Sequence, residues 1–241
     1  MSSKKSIYIS VCSHDKPWWQ MVHSLNHNLM TLQANNYPFC VSTHLKESLI
    51  SRARNDQLAE FLESGCDYLF TIDDDIELPE GGILSLISRD RDIVCGFYRI
   101  KRNDLVWAQR VVEVGGELTE DYRFMFAKKL CLPIVYGSSG CMLIKRETVL
   151  EMIKRYPDLK YRQNISGRLQ YALYMPFIYK EEYLSEDWAF CQRAKDIGFT
   201  IYGDGAVRCD HHGVTKYSTS LSEEGVGNAS QPQQERVEES S

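Results

Sequence analysis

No two of the eight cysteines stand in a C-x-x-C pair. That absence argues against a zinc ribbon and against a thioredoxin-type redox motif. Cys12, Cys40, Cys66, Cys95, Cys131, Cys141, Cys191 and Cys209 lie mostly in apolar contexts such as IVCGF and GCMLI. A thiol there packs as a small core side chain, so reduced thiols of an intracellular protein are expected. No apolar run approaches the length of a membrane-spanning helix. The opening MSSKKSIYISVCSHD has too short an apolar run for a signal peptide, and a cytoplasmic protein is expected. The N-glycosylation patterns at Asn164-Ile165-Ser166 and Asn228-Ala229-Ser230 therefore carry little weight. Cationic excess is also missing. With 28 Lys and Arg against 33 Asp and Glu, the net charge is −5, so nothing draws the chain generally toward nucleic acid. No internal repeat is present.

What remains is a chain of 241 residues, enough for one large α/β domain with or without a tail. Its most informative stretch is DYLFTIDDDIELP, Asp67 to Pro79. Tyr68 to Ile72 form an unbroken apolar or β-favouring run, the pattern of a strand covered on both faces in a parallel sheet. The run meets Asp73, Asp74 and Asp75. Ligands of open α/β sheets bind beyond the carboxyl ends of the strands. Three acids there repel one another unless a cation or solvent compensates, and hard divalent cations bridge carboxylates to phosphates. The stretch is a metal–nucleotide site or an acidic turn capping the next helix.

Around it the sequence predicts alternating elements. Ile7–Cys12 reads as a first buried strand, ending in Ser13, His14 and Asp15, and Asp15-Lys16-Pro17 as the start of a helix to Ala34. Strand 38–43 precedes a helix over Leu49–Glu63, on which Arg54 shares a face with Ile50 and Leu58. A guanidinium on that face needs a diphosphate or a carboxylate of the aspartate cluster, or else it snorkels to water. Arg52 points elsewhere, as a surface charge. A short helix over Pro79–Ser88 and a strand over Asp92–Phe97 follow, then Tyr98, Arg99 and Lys101 in what reads as a solvated basic loop. Leu105–Val114 and Tyr122–Val135 read as antiparallel strands or irregular structure, with Gly115-Gly116 as a hairpin turn. Tyr136-Gly137-Ser138-Ser139-Gly140 reads as a flexible polar loop, able to hold a sugar or phosphate or simply to turn the chain.

Strand Cys141–Ile144 and helix Arg146–Tyr156 come next. Asp158–Tyr183 is rich in tyrosine, offering either core packing or flat faces for sugar rings. Ser185 is placed to cap a helix to Ile197, with Glu186 and Asp187 in its first turn. Short strands over Phe199–Tyr202 and Val207–Cys209 lead to Asp210-His211-His212-Gly213. One domain over 1–217 is expected, with 218–241, almost free of large apolar residues, as a tail or the start of a linker to further domains.

The order of SRARN (51–55), TIDDDIELP (71–79), DIVCGFY (92–98), YGSSGCMLIKRE (136–147), SEDWAFCQRAKDIGF (185–199) and DHHG (210–213) resembles the GT-A glycosyltransferases of the family 2-like kind. The likeness covers residues 5 to 215. The lysine-rich start and compact size also resemble the first domain of a chlorovirus protein that glycosylates capsid, which would place the chain in a host cytoplasm. The resemblance implies an α/β fold of GT-A type, a mostly parallel central sheet flanked by helices, with a nucleotide-binding half fused to an acceptor-binding half. It implies inverting transfer from a nucleotide diphosphate sugar, UDP-linked, to a glycan or glycoprotein. In that scheme Asp73 contacts the donor's ribose or uracil, and Asp75 and His211 hold Mn²⁺, with Mg²⁺ as the alternative. Asp74 faces the sugar or Arg54, while Ser13, Arg54, Gly137, Ser138 and Ser139 line the donor, and Asp187 is the base. The pattern does not extend to Asp158–Tyr183, so which glycan or glycoprotein is the acceptor is not implied by it. A nucleotidyltransferase would carry a glycine-rich basic loop where Ser13-His14-Asp15-Lys16-Pro17 stands. A sugar-binding module would not need the metal acids and the acid pair together.

Overall fold

The computed structural model describes residues 4–45, 47–102, 105–113, 116–164 and 166–219. In chain order these form β1 (Ile7–Ser13), α1 (Trp19–Ala34), β2 (Phe39–Leu45), α2 (Ile50–Ser64), β3 (Tyr68–Asp73), β4 (Ile76–Glu77), α3 (Gly82–Ser88) and β5 (Ile93–Phe97). Next come α4 (Glu120–Arg123), β6 (Cys131–Ile134), β7 (Cys141–Lys145), α5 (Arg146–Arg155), β8 (Lys160–Arg162) and β9 (Leu169–Tyr171). The last described elements are β10 (Phe177–Tyr179), β11 (Glu182–Leu184), α6 (Glu186–Asp196), β12 (Ile201–Arg208), β13 (Asp210–His212) and β14 (Lys216–Tyr217).

The fold is α/β, built on a seven-stranded sheet in the order β2-β1-β3-β7-β5-β12-β6. Strands β2, β1, β3, β5 and β12 point one way, while β7 and β6 run against them. Central strands alternate their side chains between two cores, as a period of two requires. Ile7, Ile9, Phe70, Ile72 and Leu143 pack with α1 and α3 on one face. Tyr8, Leu69, Cys95, Met142 and Ile144 pack with α2, α5 and α6 on the other.

Burial on both faces of β3 was legible as a continuous apolar run, and the sheet is mostly parallel, as expected, with β7 and β6 reversed. β1 is parallel to it and β7 antiparallel. Because β7 is reversed, its beginning lies at the carboxyl edge of the sheet. The 137–140 segment that enters β7 is thereby delivered beside Asp73, whose N–H donates to the Gly140 carbonyl at 3.2 Å.

Several local expectations shift. Helix α1 begins at Trp19 rather than at Asp15, about one turn later, and α3 begins at Gly82 rather than Pro79. Phe199–Tyr202 and Val207–Cys209 are not two strands. One strand, β12, runs through both with a register shift between Gly203 and Arg208. Ser185 occupies the cap position of α6 but makes no side-chain cap bond. Arg99 is buried rather than solvated. Of the antiparallel strands or irregular structure expected over 122–135, the chain forms the end of α4, turns and the antiparallel strand β6. Val114 and Gly115 of the proposed hairpin turn, and 220–241 of the proposed tail, lie outside the described residues. The tyrosine-rich excursion forms two hairpins, β8–β9 and β10–β11. Tyr174 there is core, stacked on Phe190 with ring centres 4.5 Å apart, while Tyr183 is exposed.

All eight cysteines are free, with Cys40 and Cys66 in sulfur–sulfur contact at 3.8 Å. No helix among the described residues is long and apolar enough to cross a membrane.

Candidate active site

Arg54 lies in the second turn of α2, whose Leu58 and Phe61 anchor the helix to the sheet. Gly65 in the left-handed conformation (φ 73°) ends the helix. The Arg54 side chain is 1% exposed, so it does not snorkel. Its Nη2 donates to Asp73 Oδ1 at 2.5 Å and its Nη1 to Gln57 Oε1 at 3.3 Å, while its Nε lies 4.0 Å from Asp187 Oδ1. Of the partners open at the level of sequence, the aspartate cluster is the one the fold supplies. Arg52 is the surface charge expected, paired with Glu47.

The three aspartates at the end of β3 diverge. Asp73 meets Arg54. Burial pushes its carboxyl up, and the Arg54 charge partly offsets this. Asp74 accepts from Ser13 Oγ at 2.5 Å. Its carboxyl is raised by burial against the lowering effect of that bond. Asp74 therefore does not reach Arg54, which β3 presents to the neighbouring residue instead. Burial would also raise Asp75, but hydrogen bonds from His211 and Lys101 outweigh it and hold this carboxyl below its usual range.

Asp75 and His211 are joined by a short antiparallel pairing of β4 with β13, in which His211 stands opposite Ile76. The His212 N–H donates to the Asp75 carbonyl at 2.8 Å. His211 Nδ1 lies 2.7 Å from the Arg99 carbonyl, and its Nε2 lies 3.3 Å from Asp75 Oδ1. A carbonyl only accepts, so Nδ1 carries a proton, and Nε2, which here faces Asp75 as a donor, is the nitrogen that would serve a cation after giving up its own proton. His212 points away. It pairs with Glu77 at 2.7 Å and stacks on Trp18.

The 136–140 segment is not the flexible polar loop that its composition suggested. Gly137 packs in the core, where an added Cβ would lie 2.8 Å from Met142 Cε, so it presents no surface to a donor. Ser138 and Ser139 are buried. Ser138 Oγ donates to Asp187 Oδ2 at 2.8 Å and takes the Tyr98 hydroxyl as its own donor. Gly140 is required by close approach, since a Cβ there would lie 2.8 Å from Asp73 Oδ2 and against the Tyr98 hydroxyl.

Asp187, in the first turn of α6, keeps its Oδ1 buried without a hydrogen-bond partner. Beside it, burial and then the charge of Asp187 push the Glu186 carboxyl up to about 7. Tyr98 and Lys101 were not foreseen as site residues. Tyr98 adjoins the DIVCGFY pattern, but only the sheet order brings its ring edge-on to His211, 5.4 Å between centres. The Lys101 ammonium contacts Asp75 Oδ2.

The donor set of Asp75 oxygen and His211 Nε2 fits a divalent cation of the borderline kind. Among the described residues, no group of three or more His, Cys, Asp and Glu converges on one point. A cation here would complete its shell from phosphate oxygens and water.

No protein-family model matches the chain, and no curated protein does. Among solved structures it is similar to GalNAc-T7 with UDP, GalNAc and Mn²⁺. The TM-score is 0.48 at 12% identity, over 88% of this chain and 44% of that one. The chain thus spans less than half the length of that protein.

Proposed function

We propose that this chain is a metal-dependent, inverting glycosyltransferase of GT-A type. It would move a sugar from a nucleotide diphosphate donor, UDP-linked, to a glycan or glycoprotein, a capsid glycan being one such acceptor. The activity is assigned to one domain, 1–217, with 218–241 as a tail or linker. The observation that carries the reading is the convergence of Arg54, Asp73, Asp75, His211 and Asp187, from separate elements, at the carboxyl end of β3. Free cysteines fit a reducing compartment such as the cytoplasm.

Asp187 serves as the base. Ser138 pins its Oδ2, and the unpartnered Oδ1 takes the proton of the acceptor hydroxyl as that oxygen attacks the anomeric carbon. A single in-line displacement inverts the anomeric centre. Arg54 holds Asp73 in place and keeps positive charge near both carboxylates. Ser13 fixes Asp74 toward the donor, and Ser138 and Ser139 form the floor beneath it. Asp75 and His211 would hold Mn²⁺ (or Mg²⁺), which when bound supplies positive charge to the leaving diphosphate.

Thermal unfolding measured across nucleotide diphosphate sugars, with and without Mn²⁺, tests the reading. A ligand that binds only the native state raises the midpoint, so UDP-sugars should do so with Mn²⁺ present. No shift with any donor would overturn it.

A further inference from the structure

Lys101 is a cation in contact with Asp75, a proposed metal ligand. It reaches Asp75 from the segment after β5, and its ammonium contacts Oδ2 while His211 Nε2 faces Oδ1. Its stem has a fitted seat. A Cβ on Gly213 would lie 3.1 Å from Lys101 Cδ and 3.4 Å from Cε, so the glycine that closes DHHG leaves room for the lysine. Yet the Lys101 side chain is 38% exposed, against 17% for Asp75. The ammonium can therefore leave for water without breaking a packed core, while the carboxylate stays.

An ammonium and a divalent cation compete for one carboxylate, because each is stabilised by its oxygens and each repels the other. We propose that Lys101 is an internal counter-ion: it neutralises Asp75 until a divalent cation displaces it, and so sets the metal affinity of the site. The inference rests on the metal-dependent reading above and adds to it a residue that opposes loading. It also gives a reason for the pairing. Without Lys101, Asp75 would lose its ammonium partner beside Asp73 and Asp74 before the metal arrives.

The test is Mn²⁺ binding, read from the paramagnetic resonance signal of free Mn²⁺, with and without UDP. The proteins are wild type, Lys101→Met, Lys101→Gln, Lys101→Arg and Asp75→Asn, each checked for wild-type circular dichroism. Both neutral variants should bind Mn²⁺ alone on the order of three- to tenfold more tightly, the scale of a half-exposed ion pair facing a doubly charged competitor. Lys101→Arg keeps the charge and should stay near wild type, and Asp75→Asn should lose binding. Equal or weaker Mn²⁺ binding in both neutral variants, with binding lost in Asp75→Asn, overturns the counter-ion role and leaves metal dependence standing. Absence of Mn²⁺ binding in every protein, even with UDP, overturns both.

Discussion

Ser138 Oγ donates to Asp187 Oδ2 at 2.8 Å, and Asp187 Oδ1 is left buried with no hydrogen-bond partner, 4.0 Å from Arg54 Nε. One oxygen of the carboxylate is thus held by a hydrogen bond and the other accepts none, the arrangement a proton acceptor needs. Asp187→Asn preserves the shape and removes the basicity. Sugar transfer should fall by roughly 10²–10⁴-fold, while UDP affinity in Mn²⁺ stays, because the aspartate cluster is untouched. Rates and affinities measured on one folded preparation decide this. The anomeric configuration of the wild-type product, read by NMR, must be inverted.

Arg54→Ala should destabilise the protein. It removes the partner of Asp73 and leaves that carboxylate desolvated beside Asp187. Loss of a fully buried partner costs about 3–5 kcal/mol, but the Asp73 side chain is 30% exposed. Solvent relief lowers the expectation to about 1–3 kcal/mol. Urea unfolding midpoints measure it, and a wild-type midpoint would return Arg54 to a solvated charge.

The raised Glu186 carboxyl makes stability depend on pH. Its pKa in the folded protein is about 7 against an ordinary 4.5, so between these values the native state binds more protons than the unfolded chain. Stability from this group is full below about 4.5 and is lost as pH rises through 7. Glu186→Gln removes the ionising group. Its stability relative to wild type should therefore grow from pH 4.5 to pH 7, followed by thermal unfolding at each pH. A constant difference would mean that Glu186 does not titrate in that window.

Gly140→Ala should disturb the donor site from a distance of one residue in space. The added methyl would press on the Tyr98 hydroxyl and lie 2.8 Å from Asp73 Oδ2. Overpacking of this kind costs about 1–3 kcal/mol. UDP affinity should weaken together with the unfolding midpoint, since Asp73 must move. Isothermal titration showing unchanged UDP binding would detach Asp73 from the donor.

Much of this site was legible because its signals are local. The apolar run into Asp73-Asp74-Asp75 marks a strand end by composition alone, and the helical spacing of Arg54 with Leu58 turns a charge toward the core. Glu186 and Asp187 announce a helix start. The 136–140 segment misled for a local reason too. Glycine and serine signal a turn, yet here they are small residues chosen for tight passage between Met142, Tyr98 and Asp73.

The sequence by itself determined the alternation of strands and helices, the two-sided burial of β3 and the acids at its end, since each follows from periods of two and 3.6 within a few residues. The tertiary structure alone decided the partners. Arg54 could have met phosphate or carboxylate, and α2 packed under β3 gave it Asp73. His211 and His212 are adjacent and chemically identical. Only the β4–β13 register turns His211 toward Asp75 and His212 toward Glu77. Lys101 read as a solvated charge until the seat at Gly213 and the carboxylate of Asp75 were brought to it. Such pairings join residues 19 to 136 positions apart in the chain. They are set by strand order and reversal, which no local window of sequence contains.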